Sequence, residues 1–210
     1  MTGDRRKFRR EGEERRREAL IAAAVDLVAE NGAAGATVRA IADRAGVTPG
    51  LIRHYFQTKE DLTRAAYVEV MDRMTGASVA AVAESAAPDP AAQLVAFVLA
   101  SLRPPVADMT AVGLWAGFIH QVQRDPLMRE THRTTYLDYR DRLQDMIAAL
   151  PRQVDAARLR ADAIACNAVI DGLWLEVATL PEAFEPGEVE RIALSALGAI
   201  LGTDLAGAAP

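Results

Sequence analysis

The sequence predicts an all-α protein, and three observations support that prediction. Long stretches rich in alanine, leucine and valine repeat their apolar residues at helical spacing. Proline and glycine separate these stretches, as they commonly do between helices. No stretch shows the alternation of apolar and polar residues that is typical of a half-buried β-strand. With 210 residues, the chain is long enough for one domain or two small ones.

The first helix is predicted from about Glu13 to Asn31, where an Asn-Gly pair supplies the stop. Its apolar face consists of Leu20, Ile21, Ala24, Val25, Leu27 and Val28. A second helix is predicted to start at Thr37, whose hydroxyl can accept a hydrogen bond from a backbone N–H at a helix start. The apolar positions of this second helix are Val38, Ile41, Ala42 and Ala45.

A tight turn and a brief third helix are predicted next. Gly46 stands where a helix most often ends in a left-handed backbone, and Val47 offers an apolar side chain to pack the turn. Thr48 and Pro49 have the pattern of an N-cap and a first helical position, since proline has no N–H to lose there. The residues predicted to face inward from the third helix are Leu51, Ile52 and Tyr55.

Six further helices are predicted from the proline, glycine and capping residues that follow. Thr58 caps a long helix that continues to about Ala83, and residues 86–90 form a linker. The later helices are predicted over 91–102, 109–124, 127–150, 155–179 and 187–201. The sequence therefore predicts nine helices.

The two short helices around Gly46 form a helix-turn-helix pattern. A helix fits the major groove of DNA, and the start of the second helix of such a motif contacts base edges. The outward residues of that helix are predicted to be Thr48, Gly50, Arg53 and His54. Taken alone, the pattern is equally compatible with the ordinary packing of two helices.

The region from about residue 15 to 65 resembles the DNA-binding signature of the TetR family of bacterial transcription factors. The matching residues are Thr37, Ile41, Ala42, Ala45, Gly46, Val47, Tyr55, Phe56 and Lys59. The resemblance implies a three-helix helix-turn-helix DNA-binding domain followed by a six-helix ligand-binding and dimerisation domain. It also implies that the third helix lies in the major groove and that Tyr55 and Lys59 contact phosphates.

From these observations we predict a flexible basic arm over 1–12, a DNA-binding domain over 13–60 and a helical effector-binding and dimerisation domain over 61–205. The predicted DNA-binding residues are Thr37, Arg39, Thr48, Pro49, Gly50, Arg53, His54, Tyr55 and Lys59.

The net charge of the whole chain is −5, but residues 1–60 hold 12 basic and 9 acidic side chains. The helix-turn-helix therefore lies at the basic end of the chain. The arginines of the arm either stay solvated or contact the DNA backbone or minor groove.

Aromatic and polar residues stand out on three helices of the otherwise aliphatic second domain. These candidate effector-binding residues are Trp115, Phe118, His120, Tyr136, Tyr139, Asn167, Asp171 and Trp174. Aromatic faces and a carboxylate suit a quaternary ammonium ligand, since ring quadrupoles attract cations. The alternative interpretation is ordinary packing of large aromatic side chains.

The segments LWAGFIHQ at 114–121 and IDGLWLEVA at 170–178 resemble the choline-responsive BetI-like branch of the TetR family, whose members repress genes of osmoprotectant synthesis. This resemblance implies choline, or another quaternary ammonium or amine, as the effector. The expected function is a repressor that leaves its operator when a small molecule fills the C-terminal domain.

The family resemblance also implies a homodimer formed by the last two helices of each subunit. The apolar stripes of these helices are Ala165, Val169, Ile170, Leu173 and Val177, then Ile192, Ala193, Ala196, Leu197, Ile200 and Leu201. Both stripes could instead belong to the core of one chain. A dimer has independent support, because a helix as short as 49–54 makes few base contacts and two-fold symmetry doubles them across a palindromic operator.

An all-α enzyme that uses His120 and Asp171 as an acid-base pair is the alternative function. The sequence shows no glycine-rich phosphate loop and no His/Cys spacing typical of a metal site, so we expect no cofactor and no metal.

The single cysteine, Cys166, lies in an apolar helix pattern and is expected to be buried. We expect a cytoplasmic protein, because no signal-peptide-like or membrane-spanning apolar run is present.

Overall fold

The computed structural model describes residues 2–85 and 89–208, with side chains described for 12–85 and 89–207. Over these residues the chain forms nine α-helices and two short 3₁₀ helices, and it forms no β-strand. The all-α prediction is therefore confirmed.

The first four helices are α1 (Thr2–Gly35), α2 (Val38–Arg44), α3 (Pro49–Tyr55) and α4 (Lys59–Ser85). The other five are α5 (Pro90–Ser101), α6 (Met109–Val122), α7 (Pro126–Ala148), α8 (Ala156–Thr179) and α9 (Glu188–Leu201). From α2 onward, each predicted boundary lies within about two residues of the observed one. Side chains near the ends explain this agreement, because Asp89 and Asp155 cap α5 and α8 by accepting backbone N–H bonds at 3.2 and 2.7 Å.

The start of α1 differs from the prediction. We expected a flexible arm over 1–12, but the helix begins at Thr2. Half of the residues of the arm are arginine, lysine or glutamate, which are good helix formers, and extending an existing helix avoids the cost of nucleation. The side chains of residues 1–11 lie outside the described part, so the expected contact of this arm with DNA stays a prediction. The predicted stop is present, because Gly32 interrupts α1 with a φ of 68°.

The chain divides into two compact units. Unit 1 comprises the residues up to Val70 together with Gly113–Thr131, and unit 2 comprises Met71–Val112 together with the residues from His132 onward. The helices α4, α6 and α7 each contribute residues to both units. The functional boundary expected after residue 60 stays a prediction.

The core of unit 1 joins α1, α2 and α3 to the later segment. Tyr67 and Phe118 are both fully buried, and their rings meet edge to face with centroids 5.4 Å apart. A Cβ atom on Gly117 would stand 2.9 Å from Cγ1 of Val28, so α6 approaches α1 closely at this glycine. Residues far apart in the sequence therefore complete one core.

The core of unit 2 is built from α5, α7, α8 and α9. Its buried members include Phe97, Leu143, Ile147, Ile170 and Leu197. Cys166 belongs to the same cluster, as predicted, and burial raises the pKa of its thiol to about 12. No helix within the described ranges is both long enough and apolar enough to cross a membrane.

Candidate functional site

The turn between α2 and α3 has the backbone that the sequence predicts. The Thr37 hydroxyl accepts the N–H of Ala40 at 3.2 Å and so caps α2. Gly46 adopts a φ of 66°, a left-handed conformation that favours glycine. Pro49 occupies the first turn of α3, whereas the hydroxyl of Thr48 makes no capping hydrogen bond. The hydroxyl of Thr48 is therefore available to a partner outside the chain.

The helix α3 is anchored on one side and exposed on the other. Ile52 and Phe56 are buried at 2% and 5% exposure, while Leu51 and Tyr55 are half-buried. The guanidinium of Arg17 lies 5.4 Å from the centroid of the Phe56 ring, so this arginine contributes to packing. The outward side of α3 forms a surface that we call the reading surface, and it comprises Thr48, Pro49, Gly50, Arg53 and His54.

The cations near α3 differ in how far the protein already uses them. Arg44 donates two hydrogen bonds to Glu30, at 2.9 and 2.6 Å, and these bonds raise the pKa of Arg44. Arg39 is 90% exposed and lies 4.0 Å from Asp43. Arg53 makes no hydrogen bond or ion pair with any described side chain and is exposed. Arg53 is therefore a free cation on the reading surface.

Lys59 is placed by the capped start of α4. The carboxylate of Asp61 accepts the backbone N–H and the hydroxyl of Thr58, both at 2.9 Å, and the Asp61 N–H donates back to the Thr58 hydroxyl at 3.1 Å. These hydrogen bonds from Thr58 lower the pKa of Asp61. Arg64 bonds both Asp61 and Asp125, so the start of α4 is tied to the turn before α7. The backbone that carries Lys59 is therefore well supported.

The eight candidate effector residues fall into both units. Trp115, Phe118 and His120 belong to unit 1 and the other five to unit 2. Phe118 is a core side chain of unit 1, and His120 is exposed. In unit 2, Trp174 donates its indole N–H to the carbonyl of Val106 at 2.7 Å.

Tyr139 is also tied to protein groups. Its ring stacks on Phe97 with centroids 5.1 Å apart. Its hydroxyl hydrogen-bonds the Ser101 hydroxyl at 2.8 Å, and Ser101 in turn lies 2.9 Å from the hydroxyl of the buried Ser78. The polar atoms of Tyr139 and Trp174 thus hydrogen-bond to other groups of unit 2, and the effector role of both residues stays a prediction.

Three predicted residues converge in unit 2, and we call them the Asp171 cluster: Tyr136 on α7 with Asn167 and Asp171 on α8. The Tyr136 hydroxyl donates to Oδ2 of Asp171 at 2.5 Å. The Asn167 amide nitrogen donates to the Tyr136 hydroxyl at 2.7 Å and to the same carboxylate oxygen at 2.8 Å. Asn167 is 3% exposed, and its Oδ1 atom is buried without a hydrogen-bond partner in the described structure.

The Asp171 cluster has no internal counter-charge. No described cation lies within ion-pair distance of Asp171, and the Asp171 side chain is exposed to solvent. Burial raises the pKa of Asp171 against the effect of the two hydrogen bonds it accepts. Burial and the neighbouring Asp171 carboxylate raise the pKa of Tyr136 to about 12, so its hydroxyl stays a donor at neutral pH. The cluster therefore presents acceptors and negative charge.

A second polar group in unit 2 was not predicted from the sequence. Arg152 and Arg158 donate to the two carboxylate oxygens of Asp162 at 2.6 and 2.7 Å. Both arginines also donate to carbonyls near the end of α9, those of Leu201 and Ile200. The Arg158–Asp162 spacing of one helical turn is visible in the sequence, but Arg152 precedes α8 and gives no such signal.

The outward apolar residues of α8 and α9 differ from the predicted stripes. Ile170, Ala193, Leu197 and Leu201 are buried in the core of unit 2, as the alternative interpretation allowed. The exposed apolar side chains are Ile164 at 41%, Leu175 at 45% and Ile192 at 43%. Ala168 and Gly172 are exposed between Ile164 and Leu175, at helical spacing on α8. We call these five residues the outer stripe.

Comparison with protein families matches both parts of the chain. Residues 20–66 match the family of bacterial regulatory proteins called the tetR family. Residues 90–202 match the C-terminal domain of BetI-type transcriptional repressors.

Curated relatives and solved structures agree with these matches. The HTH-type transcriptional regulator BetI of Stenotrophomonas maltophilia R551-3 is 33% identical over 182 residues, covering 85% of this chain and 89% of the relative. The protein of the same name from Paraburkholderia phytofirmans is 29% identical over 178 residues, with the same coverage. A solved structure from Pseudomonas aeruginosa PAO1 has 28% identity and a TM-score of 0.79, covering 92% of this chain and 94% of that one. A transcriptional regulator from Rhodococcus sp. Rha1 has 28% identity and a TM-score of 0.68, covering 91% and 96%.

Proposed function

The chain belongs to the TetR family of bacterial transcriptional regulators and has a BetI-type C-terminal domain, and on this basis we propose a homodimeric repressor that a small organic cation releases from its operator. The protein is a DNA-binding regulator, so the enzyme considered from the sequence is set aside. The proposal adds which residues contact DNA, how the dimer forms and what chemistry the effector has.

One observation supports the DNA contacts above all: Arg53 is an exposed cation that pairs with none of the described side chains, and it lies on a helix anchored by the buried Ile52. In a helix-turn-helix protein, such a side chain on the second helix donates to base edges in the major groove. The exposed hydroxyl of Thr48 and the ammonium of Lys59 suit phosphate oxygens. We assign base contact to Arg53 and backbone contact to Thr48, Tyr55 and Lys59.

The outer stripe supports a homodimer through α8 and α9. Its members are apolar and exposed on two helices that otherwise pack into the core of unit 2. A second copy of the chain would bury Ile164, Leu175 and Ile192 by a two-fold arrangement. A dimer also presents two copies of the reading surface to a palindromic operator.

The Asp171 cluster supports an organic cation as the effector. Asp171 has no cation partner among the described residues, and an opposite charge would stabilise its ionised form. Choline, another quaternary ammonium or an amine would supply that charge. The helix α4 carries Lys59 in unit 1 and continues into unit 2, so an effector that favours one conformation of unit 2 can act on the DNA contacts through α4.

Fluorescence anisotropy with labelled duplexes tests this function. The full chain is titrated into a duplex from the region upstream of its own gene and into a scrambled duplex, over a series of salt concentrations. We expect selective, salt-dependent binding of two subunits per site, and release on addition of choline or ethanolamine. Equal binding to both duplexes would overturn the DNA assignment. Selective binding that neither compound changes would overturn the cationic effector.

A further inference from the structure

Arg64 bridges two carboxylates that lie on different segments of unit 1. Its Nη1 atom donates to Oδ2 of Asp125 at 3.1 Å, and its Nη2 atom donates to Oδ1 of Asp61, three residues earlier on α4. The side chain of Arg64 is 17% exposed, and those of Asp61 and Asp125 are 32% and 28% exposed. The two terminal nitrogens of one planar guanidinium thus hold two carboxylates in a fixed arrangement.

The other oxygen of each carboxylate supports the start of a helix. Oδ2 of Asp61 accepts the N–H and the hydroxyl of Thr58, the residue before α4. Oδ1 of Asp125 accepts the N–H of Leu127 at 2.8 Å, in the first turn of α7. A continuous series of hydrogen bonds therefore runs from the start of α4 to the start of α7, and Arg64 is its middle member.

An apolar contact accompanies this ion pair. Tyr67 lies one turn after Arg64 on the same side of α4, and its buried ring meets the buried ring of Phe118 on α6. The segment Gly113–Thr131, which contains Phe118 and Asp125, belongs to unit 1 together with the start of α4. The side of α4 that carries Arg64 and Tyr67 is therefore the side that contacts this later segment.

Arg64 and Lys59 lie on different sides of α4. Five residues separate them, which corresponds to about 140° around an α-helix. The guanidinium of Arg64 is shared by two carboxylates, whereas Arg53 pairs with none of the described side chains. Arg64 is therefore a cation that the protein itself uses, unlike the cations assigned to DNA.

We propose that Arg64 is a positioning residue for DNA binding: its ion pair with Asp125 holds the start of α4 where the ammonium of Lys59 meets a phosphate. This inference rests on the proposed contact of Lys59 with DNA. Without the ion pair, the start of α4 would have to be ordered when DNA binds, and such ordering costs affinity. The turn before α7 thus influences DNA affinity from a position outside the helix-turn-helix.

Two substitutions remove the ion pair from its two ends. Arg64→Met removes the cation and keeps an unbranched side chain, and Asp125→Ser removes the carboxylate but keeps a capping oxygen for α7. By fluorescence anisotropy, each should weaken binding of the full-length protein to the duplex from upstream of its own gene about fivefold. The double variant should bind no more than about twofold more weakly than either single variant. The salt slope should stay that of the wild type, since no phosphate contact is lost.

The matched control is Asp89→Ser. Asp89 also caps a helix that begins with proline, but it makes no ion pair with any described cation. Both Asp→Ser changes remove one negative charge, so net charge alone predicts tighter DNA binding for both. Weaker binding by Asp125→Ser, with wild-type or slightly tighter binding by Asp89→Ser, supports the positioning role. Wild-type or tighter binding by Asp125→Ser would overturn it.

Hydrogen exchange in the free protein separates this inference from the proposed function. The backbone amides of residues 62–66 should exchange faster in Arg64→Met and Asp125→Ser than in the wild type or Asp89→Ser. Unchanged exchange in a protein that binds the duplex would overturn this inference alone, whereas no duplex binding by the wild type would reject the proposed function and this role with it. Melting temperatures complete the test, because an ion pair that only stabilised the fold would lower them and leave the DNA affinity of the folded protein unchanged.

Discussion

Arg152 and Asp162 form a buried ion pair, with Nη1 of the arginine 2.6 Å from Oδ2 of the carboxylate. Their side chains are 14% and 4% exposed. Arg152 also donates to the carbonyl of Leu201, so a single carboxylate organises the segment before α8, α8 itself and the end of α9. The helices of the outer stripe therefore depend on this ion pair for their relative position.

Asp162→Asn should destabilise the protein by about 3 kcal/mol at pH 7, because removing one member of a buried ion pair leaves the other charge uncompensated. Urea unfolding at a fixed protein concentration measures the change. The matched control is Asp138→Asn, since Asp138 and Arg142 form an exposed pair one turn apart. That variant should lose less than about 0.5 kcal/mol. Equal losses in the two variants would contradict a structural role for Asp162.

The same pair predicts a pH dependence. Burial alone would raise the pKa of Asp162, but the hydrogen bonds and charges of Arg152 and Arg158 outweigh burial and lower it below its usual value of 3.8. A lowered carboxyl pKa contributes stability that is complete above the unfolded-state value and disappears as the pH falls through the folded-state value. The difference between wild type and Asp162→Asn should therefore stay constant above about pH 5 and decrease only below about pH 4. A decrease that begins near pH 6 would assign the effect to another group.

Two exposed glycines offer a matched test of the turn. Gly46→Ala should lower stability by about 1 kcal/mol, because its φ of 66° is unfavourable for any side chain although the Cβ meets no atom within 4 Å. Gly50 has equally open surroundings and lies in α3, so Gly50→Ala should leave stability unchanged or slightly higher. Its added methyl group lies on the reading surface and should weaken operator binding. Thermal unfolding and anisotropy measure the two effects, and equal stability of both variants would refute the conformational argument.

Replacing Arg53 and replacing Lys59 should change DNA binding in different ways. Arg53→Ala removes a base contact, so it should relax the preference for the operator over other sequences by about tenfold or more. Lys59→Ala removes a phosphate contact, so it should weaken binding to all duplexes and reduce the salt slope by about one contact per subunit. Arg142→Ala, in unit 2, is the control and should change neither. Identical changes in slope and selectivity for the first two variants would mean that the assigned roles are wrong.

The outer stripe predicts how the dimer is broken. Leu175→Glu places a charge on a side chain that is 45% exposed in one chain and buried in the proposed dimer, so it should shift the protein to monomers at micromolar concentration. Leu127→Glu is the control, because Leu127 is 60% exposed in unit 1. Sedimentation velocity gives the result, and a dimer that tolerates Leu175→Glu would exclude this face.

The sequence allows much of this fold to be predicted because helix ends depend on local chemistry. Thr37, Gly46 and Pro49 act on their immediate neighbours, and the structure shows each in the predicted position. Contacts between helices that are distant in the sequence cannot be predicted in this way, because they form only when the helices pack. The periodicity that placed Leu197 on an apolar face of α9 could not tell the core of one chain from a contact between two.

In the candidate site, too, local spacings could be predicted from the sequence, whereas contacts between helices could not. Asn167 and Asp171 are spaced by one helical turn, so their proximity could be predicted from the sequence. The meeting of Tyr136 with them depends on how α7 packs against α8, and no local pattern reports that. Phe118, an aromatic residue assigned to the effector, has its ring buried against Tyr67 in the core of unit 1, and its effector role stays a prediction.

The contact between Tyr67 and Phe118 has a consequence for synthesis of the chain on the ribosome. The first 70 residues contain all three helices of the DNA-reading end, yet their core also requires Phe118 and the close approach of Gly117 to Val28. A nascent chain that has not yet released residue 118 would leave Tyr67 exposed to solvent. The reading end should therefore complete its folding only after more than half of the polypeptide has been translated, and a fragment that stops at Val70 should be poorly folded.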